Sequence, residues 1–325
     1  MPSKTMREHF NDRFDGKANF VDNPPLPDSL NIELNSGCNQ ACEFCPFHGR
    51  YALNHPPIAT MKYEDAISIL DQAKKLGIGR KEVGFYLSGE AFLHKDLSRI
   101  IKYAKELGFK YTFITSNGAL ADEEKMKGVL DAGLDSIRFS INADNRELYE
   151  EIHGRDDFDK VVDNVRFTHE YITNNHLPVS TSISCVLTKR TQGIKTNIRD
   201  LFSEYVDDII FIPLSLLRLN CDDEYRQENQ MFDERMLSVD KSKVCPMLFN
   251  TMYIGANMTV MPCCEAYDDN AVFYDLNKDF NLENAWYSDA YRYHRGIFLH
   301  GNDDSNTICH RCYIRIAKIS DIYVE

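Results

Sequence analysis

At 325 residues the chain can hold one large core with a smaller unit attached, and 43% hydrophobic with 27% charged residues is the balance of a soluble globular protein. A formal charge of −13 argues against sequence-independent nucleic-acid binding, which needs a basic surface to displace counterions. No apolar run approaches the roughly 18–20 residues that cross a bilayer, and MPSKTMREHFNDRF lacks the apolar stretch of a secretory signal, so a cytoplasmic protein is expected.

Residues 1–27 read as a polar N-terminal extension ending in the proline-stiffened NPPLP. Strand and helix patterns then alternate. LNIEL (30–34) is strand-like, and residues 62–76 carry Ala66, Ile69, Leu70, Ala73 and Leu76 at helical spacing before a stop at Gly77. VGFYL (83–87) is a strand, followed by a helical stripe from Leu97 to Leu107 closed by Gly108. YTFIT (111–115) is a strand and residues 122–131 a helix. In SIRFSIN (136–142) Ile137, Phe139 and Ile141 face one way and Arg138, Ser140 and Asn142 the other. A helix at about 159–171, a strand at about 179–187, a short helix near 197–205 and the strand DIIFIP (208–213) follow. Six strands alternating with helices imply parallel βα units, two short of a closed eightfold barrel. The acidic stretch 220–240 reads as a linker to a second unit over 241–325.

Ten cysteines in a reducing compartment point to metal or cluster ligation, not disulfides. Cys38, Cys42 and Cys45 stand as C-x3-C-x2-C directly after the first strand, where barrel enzymes keep their chemistry. That spacing lets three thiolates hold three irons of a 4Fe–4S cube and leaves the fourth iron open to a substrate or cofactor. The motif resembles the signature of the radical S-adenosylmethionine (SAM) superfamily. The resemblance covers about 28–215, within a unit expected over 28–219, and implies a partial (β/α)6 TIM-like barrel. It also implies a cluster that binds SAM and cleaves it to a 5′-deoxyadenosyl radical.

Further positions match that family locally. Phe44 holds the aromatic place before the third cysteine, which in the family lies near the adenine. Ser88-Gly89-Glu90 resembles the Gly-Gly-Glu motif after the second strand, where small residues admit the methionine amino group and Glu90 accepts from it. Ser116 after the third strand and Ser140 on the fourth match positions that contact SAM. Asn142 departs from the acidic residue often found there. Arg155, in IHGRDDF, resembles an arginine that pairs with the SAM carboxylate.

In the tail, Cys245, Cys263, Cys309 and Cys312 flank a hairpin whose turn is Gly255-Ala256-Asn257. By spacing alone, four such thiolates suit zinc as well as iron–sulfur. Behind a radical SAM core the segment resembles the SPASM and twitch extensions, a small α+β iron–sulfur domain. The cysteine complement implies the one-cluster form, with Cys263 preferred to Cys264 because it follows Pro262 as in the family's Pro-Cys pattern. Four thiolates leave that auxiliary 4Fe–4S cluster no open site and suit it to electron transfer. Of the remaining cysteines, Cys185 reads as a buried structural thiol. Cys221 follows the sixth strand, where it can donate a hydrogen atom to a substrate radical.

The resemblance implies a radical SAM oxidoreductase acting on a small molecule. Oxidation of a secondary alcohol on a sugar or aminocyclitol leads, similar to radical SAM aminocyclitol dehydrogenases with one twitch cluster. The partners implied are that substrate and an electron donor such as flavodoxin or ferredoxin, with no nucleic acid and no membrane. Peptide modification is a second expectation, set back by the 37 residues before Cys38, too few for a peptide-recognition domain. Epimerisation using Cys221 is a third, and a non-catalytic zinc or Fe–S protein a fourth. His48, Arg50 and His55 read as solvated loop residues.

Overall fold

The computed structural model describes residues 8, 19–52, 57–216, 219–231, 240–264, 266, 271–310 and 312. The N-terminal extension before residue 19 apart from Glu8, residues 232–239 of the acidic stretch, and His55 lie outside them.

Six strands run in parallel and in chain order: β1 (Ser29–Ile32), β2 (Glu82–Phe85), β3 (Thr112–Ser116), β4 (Ser136–Ser140), β5 (Ser180–Leu187) and β6 (Asp208–Pro213). Parallel neighbours require a crossover, and each is helical. These are α1 (Tyr63–Leu76), α2 (Leu97–Glu106), α3 (Glu123–Asp131), the pair α4 (Arg146–His153) and α5 (Phe158–Asn174), and α6 (Lys195–Phe202). Their apolar stripes are buried with the strand residues in one continuous core that includes Ile32, Ile69, Phe85, Ile101, Ile137 and Phe139. Ile137, Phe139 and Ile141 are fully buried, as the alternation in β4 demands.

The ends of the helices explain why the units repeat. At the end of α1, Gly77 turns left-handed with φ 73°, so that Ile78 N–H returns to Ala73 O at 2.9 Å and buries the Ile78 side chain. The ends of α2 and α3 close the same way, at Gly108 with Phe109 and at Gly133 with Leu134. The turn thus stops the helix and also starts the next strand inward.

The second unit is not set apart from this sheet. After the four-residue helix α8 (Met247–Asn250), β7 (Thr251–Ile254) pairs in parallel with β1, Ser29 opposite Thr251 and Ile32 opposite Ile254. The expected hairpin forms with β8 (Thr259–Met261) antiparallel to β7, and β9 (Tyr274–Asp275) follows. The result is one nine-stranded sheet in the order β6-β5-β4-β3-β2-β1-β7-β8-β9. Among the described residues its edge strands, β6 and β9, do not pair, so the sheet stays open. Two helices back the tail, α9 (Leu282–Trp286) and α10 (Asp289–Leu299).

The acidic stretch also holds a helix, α7 (Asp223–Asn229), capped where Asp222 accepts from Tyr225 N–H at 2.8 Å. Tyr225 and Asn229 on it are buried. Among the described residues, no helix is long and apolar enough to cross a membrane.

Candidate active site and auxiliary metal centre

The loops leaving β1 to β4 at their carboxyl ends meet in one place. The cysteine loop follows β1 and coils tightly. Cys45 N–H reaches Cys42 O at 2.9 Å and Gly49 N–H reaches Cys45 O at 3.0 Å. A Cβ on Gly49 would stand 2.7 Å from Cys45 O, so only glycine lets the coil close. All three thiols are partly buried, and each is pushed up from its ordinary range: Cys38 to about 11, by burial and by the charges of Glu90 and Cys45; Cys42 further, by burial and by its two sister thiols; Cys45 by burial. Cys42 senses both of its sister thiols, and Cys38 senses Cys45.

N–H groups are aimed at the sulfurs of Cys38 and Cys45, as expected of cluster thiolates. Gln40 N–H is 3.5 Å from Cys38 Sγ, the Asn117 amide 3.7 Å from the same sulfur, and His48 N–H 3.4 Å from Cys45 Sγ. Beside Cys42 lies a histidine from α4. His153 is 1% exposed and burial drops its pKa to about 3, so the ring is neutral. Asn142 N–H points at Nε2 at 3.3 Å, which makes Nε2 the acceptor and puts the proton on Nδ1. Nδ1 lies 2.9 Å from Gln40 Oε1 and 3.4 Å from Cys42 Sγ. Tyr149 stacks on the ring at 4.0 Å and accepts from the Gln40 amide at 2.7 Å. Sequence reasoning overlooks Gln40, Tyr149 and His153, although His153 stands two residues before Arg155. Nothing local marks a histidine at a helix end as facing a sulfur.

The structure gives several sequence-derived residues definite partners. Glu90 is 2% exposed, and its carboxylate accepts from Ser116 Oγ at 2.8 Å, Asn117 N–H at 2.8 Å and Phe92 N–H at 3.1 Å. Ser116 thus serves Glu90. Gly89 lies against the backbone that leads into the cysteine loop, where a Cβ would come 2.6 Å from Gly37 O, and Glu90 N–H donates to that oxygen at 2.8 Å. Ser88 donates from N–H and hydroxyl to Glu33, a buried carboxylate that also accepts from Ala256 N–H at 3.2 Å in the hairpin turn. Ser140 is half-buried at the end of β4. Arg155 is exposed and donates from Nε to Asn39 O at 3.2 Å, on the cysteine loop itself. Asn142 is buried and accepts from Val186 N–H at 2.7 Å.

Phe44 and Cys221 come together in an apolar group with Leu214, Leu216, Leu219 and Tyr225 beside the cysteine loop. Arg50 lies over the Tyr51 ring at 4.6 Å, and Glu43 pairs with Arg190 at 3.0 Å. Cys185 is fully buried in the main core.

The second group of thiols also gathers. Cys245 packs beside Met247 and Tyr253, against Cys263, Cys264 and Cys312, and Leu87 from the end of β2 lies on the same group. Cys309 packs with Ile308 and Ala266, and Cys263 touches this group as well. Burial holds Cys245 well above the ordinary thiol range, reinforced by Cys312 and Cys309, while Met247 and Leu248 N–H groups donate to its sulfur. Cys263 is raised by burial and by Cys264, Cys312, Cys245 and Cys309. Among the described residues, no three Cys, His, Asp or Glu side chains meet at a point that one ion could occupy.

Residues 32–192 match the radical SAM superfamily, and residues 245–313 match the SPASM iron–sulfur cluster-binding domain. The chain is a radical SAM protein with a SPASM domain. A probable GTP 3′,8-cyclase of Saccharolobus solfataricus is 34% identical over 142 residues, 44% of this chain and 43% of that protein. The match thus spans less than half of that relative. A probable GTP 3′,8-cyclase of Sulfurisphaera tokodaii is 26% identical over 238 residues, 72% of this chain and 71% of that protein. Among solved structures, Streptococcus suis SuiB bound to precursor peptide SuiA aligns with a TM-score of 0.63 at 19% identity, covering 89% of this chain and 70% of SuiB. BtrN in complex with AdoMet and 2-DOIA gives 0.51 at 16%, covering 84% of this chain and 87% of BtrN. At such identities the likeness is one of fold.

Membership in the superfamily brings a 4Fe–4S cluster with SAM, and the SPASM domain brings auxiliary iron–sulfur binding. The residues present fit both: three partly buried thiols with N–H donors near them after β1, and a gathering of buried and partly buried thiols in the tail.

Proposed function

We propose that this radical SAM enzyme oxidises a secondary alcohol of a sugar or aminocyclitol to a ketone. When bound, the clusters and SAM supply a 5′-deoxyadenosyl radical and an electron sink. The protein's part is to hold, orient and exclude water. Cys38, Cys42 and Cys45 would hold the first cluster, with Gln40, Asn117 and His48 directing N–H groups at the sulfurs of Cys38 and Cys45 and His153 lying beside that of Cys42. Phe44, Ser140 and Arg155 would line the SAM side. Glu90, Ser88, Gly89 and Ser116 would support it by locking the second and third strand ends to the cysteine loop.

The observation that carries the dehydrogenase reading is the tail. Cys245 and Cys263 both lie within reach of the charges of Cys309 and Cys312, with Cys264 also beside Cys263, and four thiolates on one cluster would leave no position for substrate, only for electrons. The domain division at 28–219, 220–240 and 241–325 belongs to the same proposal, as does an electron donor of the flavodoxin or ferredoxin kind. The test is anaerobic turnover against aminocyclitols and sugars in deuterated buffer. One SAM consumed per ketone, with no solvent deuterium in the product, supports oxidation; deuterium at the carbinol carbon supports epimerisation and overturns it. A nucleotide substrate is the second reading, favoured by the sequence relatives named as probable GTP 3′,8-cyclases. GTP therefore belongs in the same assay.

A further inference from the structure

One cation in the tail stands where a protein ordinarily tolerates none. Arg295, on α10, is 0% exposed. Its Nε donates to Leu248 O at 3.0 Å, and its guanidinium lies over the rings of Trp286 at 4.3 Å and Tyr291 at 4.7 Å. Both terminal nitrogens are buried with no hydrogen-bond partner among the described residues. Among the described residues, the charges acting on it are those of Tyr291, Tyr287 and Arg292, none of them a carboxylate. Burial lowers its pKa only to about 10, so it stays cationic at neutral pH. A buried charge without a counter-ion is strongly disfavoured, and stacking on two rings offsets only part of that cost.

The position of Arg295 suggests what offsets it. Tyr291, Arg295 and Phe298 are spaced i, i+4, i+7 and form one face of α10. Tyr291 senses the charge of Cys263. Phe298 packs on both thiol groups of the tail. Arg295 binds the carbonyl of Leu248, the residue whose N–H donates to Cys245. Arg295 thus stands on α10 between two residues, Tyr291 and Phe298, that approach the auxiliary cysteines, and it binds the backbone that donates to Cys245. A cluster gripped by four thiolates carries net negative charge, which grows on reduction.

We infer that Arg295 is the fixed counter-charge of the auxiliary cluster, raising its reduction potential so that it accepts an electron more readily. This rests on the four-cysteine site proposed above. Arg295 is a positioning residue: it touches neither substrate nor cluster ligands directly and acts through the local field.

The test uses full-length, anaerobically reconstituted protein and an EPR-monitored reductive titration. The auxiliary signal is the one that added SAM leaves unchanged. Arg295→Met keeps the bulk and removes the charge. At full iron content its auxiliary midpoint is expected to fall by at least a tenfold change in the oxidised-to-reduced ratio, about 59 mV for a one-electron couple, while the SAM-responsive signal stays in place. Arg295→Lys keeps the charge and is expected to stay near wild type. An unchanged midpoint in Arg295→Met, or an equal fall in Arg295→Lys, overturns the inference. Should Arg295→Met not fold, Arg295→Gln carries the same comparison. Wild-type protein with about four irons per chain instead of about eight would sink the four-cysteine site itself, a different failure from an unmoved potential at full iron.

Discussion

Replacing Gly49 by alanine tests how tightly the cysteine loop must close. The added Cβ would stand 2.7 Å from Cys45 O and 3.0 Å from Cys45 N, and closer still to Cys42 O. All three are backbone atoms, so no side-chain rotation relieves the crowding. Ordinary contact begins near about 3.5 Å, so relieving the closest of these contacts opens the coil by about 1 Å. Overpacking in a rigid core costs about 1–3 kcal/mol, but this loop is partly exposed and yields, which keeps the stability loss toward the low end. The thiols do not tolerate the same movement. A functional constellation needs about 0.5 Å precision, and a displacement near 1 Å costs on the order of 100-fold in rate. Gly49→Ala is therefore expected to keep a near-native urea midpoint, to lose about four of roughly eight irons on reconstitution, and to cleave SAM about 100-fold more slowly. Gly193→Ala is the control, because nothing lies within 4 Å of its added Cβ. Full iron and wild-type SAM cleavage in Gly49→Ala would refute the tight coil.

Glu90→Ala strips the acceptor from three buried donors, each costing about 1–3 kcal/mol, so its urea midpoint should fall sharply; Glu90→Gln keeps one oxygen and should fall less. Equal midpoints for Glu90→Ala and wild type would remove Glu90 from the framework of the site. Cys263→Ser should halve the iron bound, whereas Cys264→Ser should leave it whole, since Cys263 alone of the two touches the Cys309 group. The reverse pattern would move the ligand to Cys264. Cys221→Ala should leave ketone formation within a few-fold of wild type; abolished turnover would make its thiol a participant.

The six-unit core was readable because each unit repeats the same local chemistry. The helix stripes run into glycines whose left-handed turns return a buried side chain to the sheet. The strand ends were harder: VGFYL continues the β pattern to residue 87, yet β2 stops at Phe85, where the chain turns to place Ser88 against Glu33. Helix α4 escaped notice because eight residues with three buried side chains make too short a stripe to stand out. That β7 lies beside β1 has no local signature at all, since the pairing spans more than two hundred residues. The cysteines were legible because ligand spacing is itself chemistry. Gln40, His153 and Glu33 were not, because each is a single polar residue whose meaning comes from partners on other elements.

The placement of β7 bears on how two redox sites can work together. A tail joined only by the acidic stretch would leave the auxiliary thiols at a variable distance from the first three. Pairing with β1 instead makes both sets depart from adjacent strands: the cysteine loop leaves β1, while the hairpin leading to Cys263 continues from β7. Glu33 reinforces the joint, since one carboxylate holds Ser88 of the barrel and Ala256 of the hairpin turn. Leu87, just before that serine, already packs among the auxiliary thiols. The segment after β2 thus touches both the barrel's strand ends and the thiols of the tail. A substrate held between the two would meet a hydrogen-atom acceptor on one side and an electron acceptor on the other, at a separation set by sheet hydrogen bonds and not by a linker.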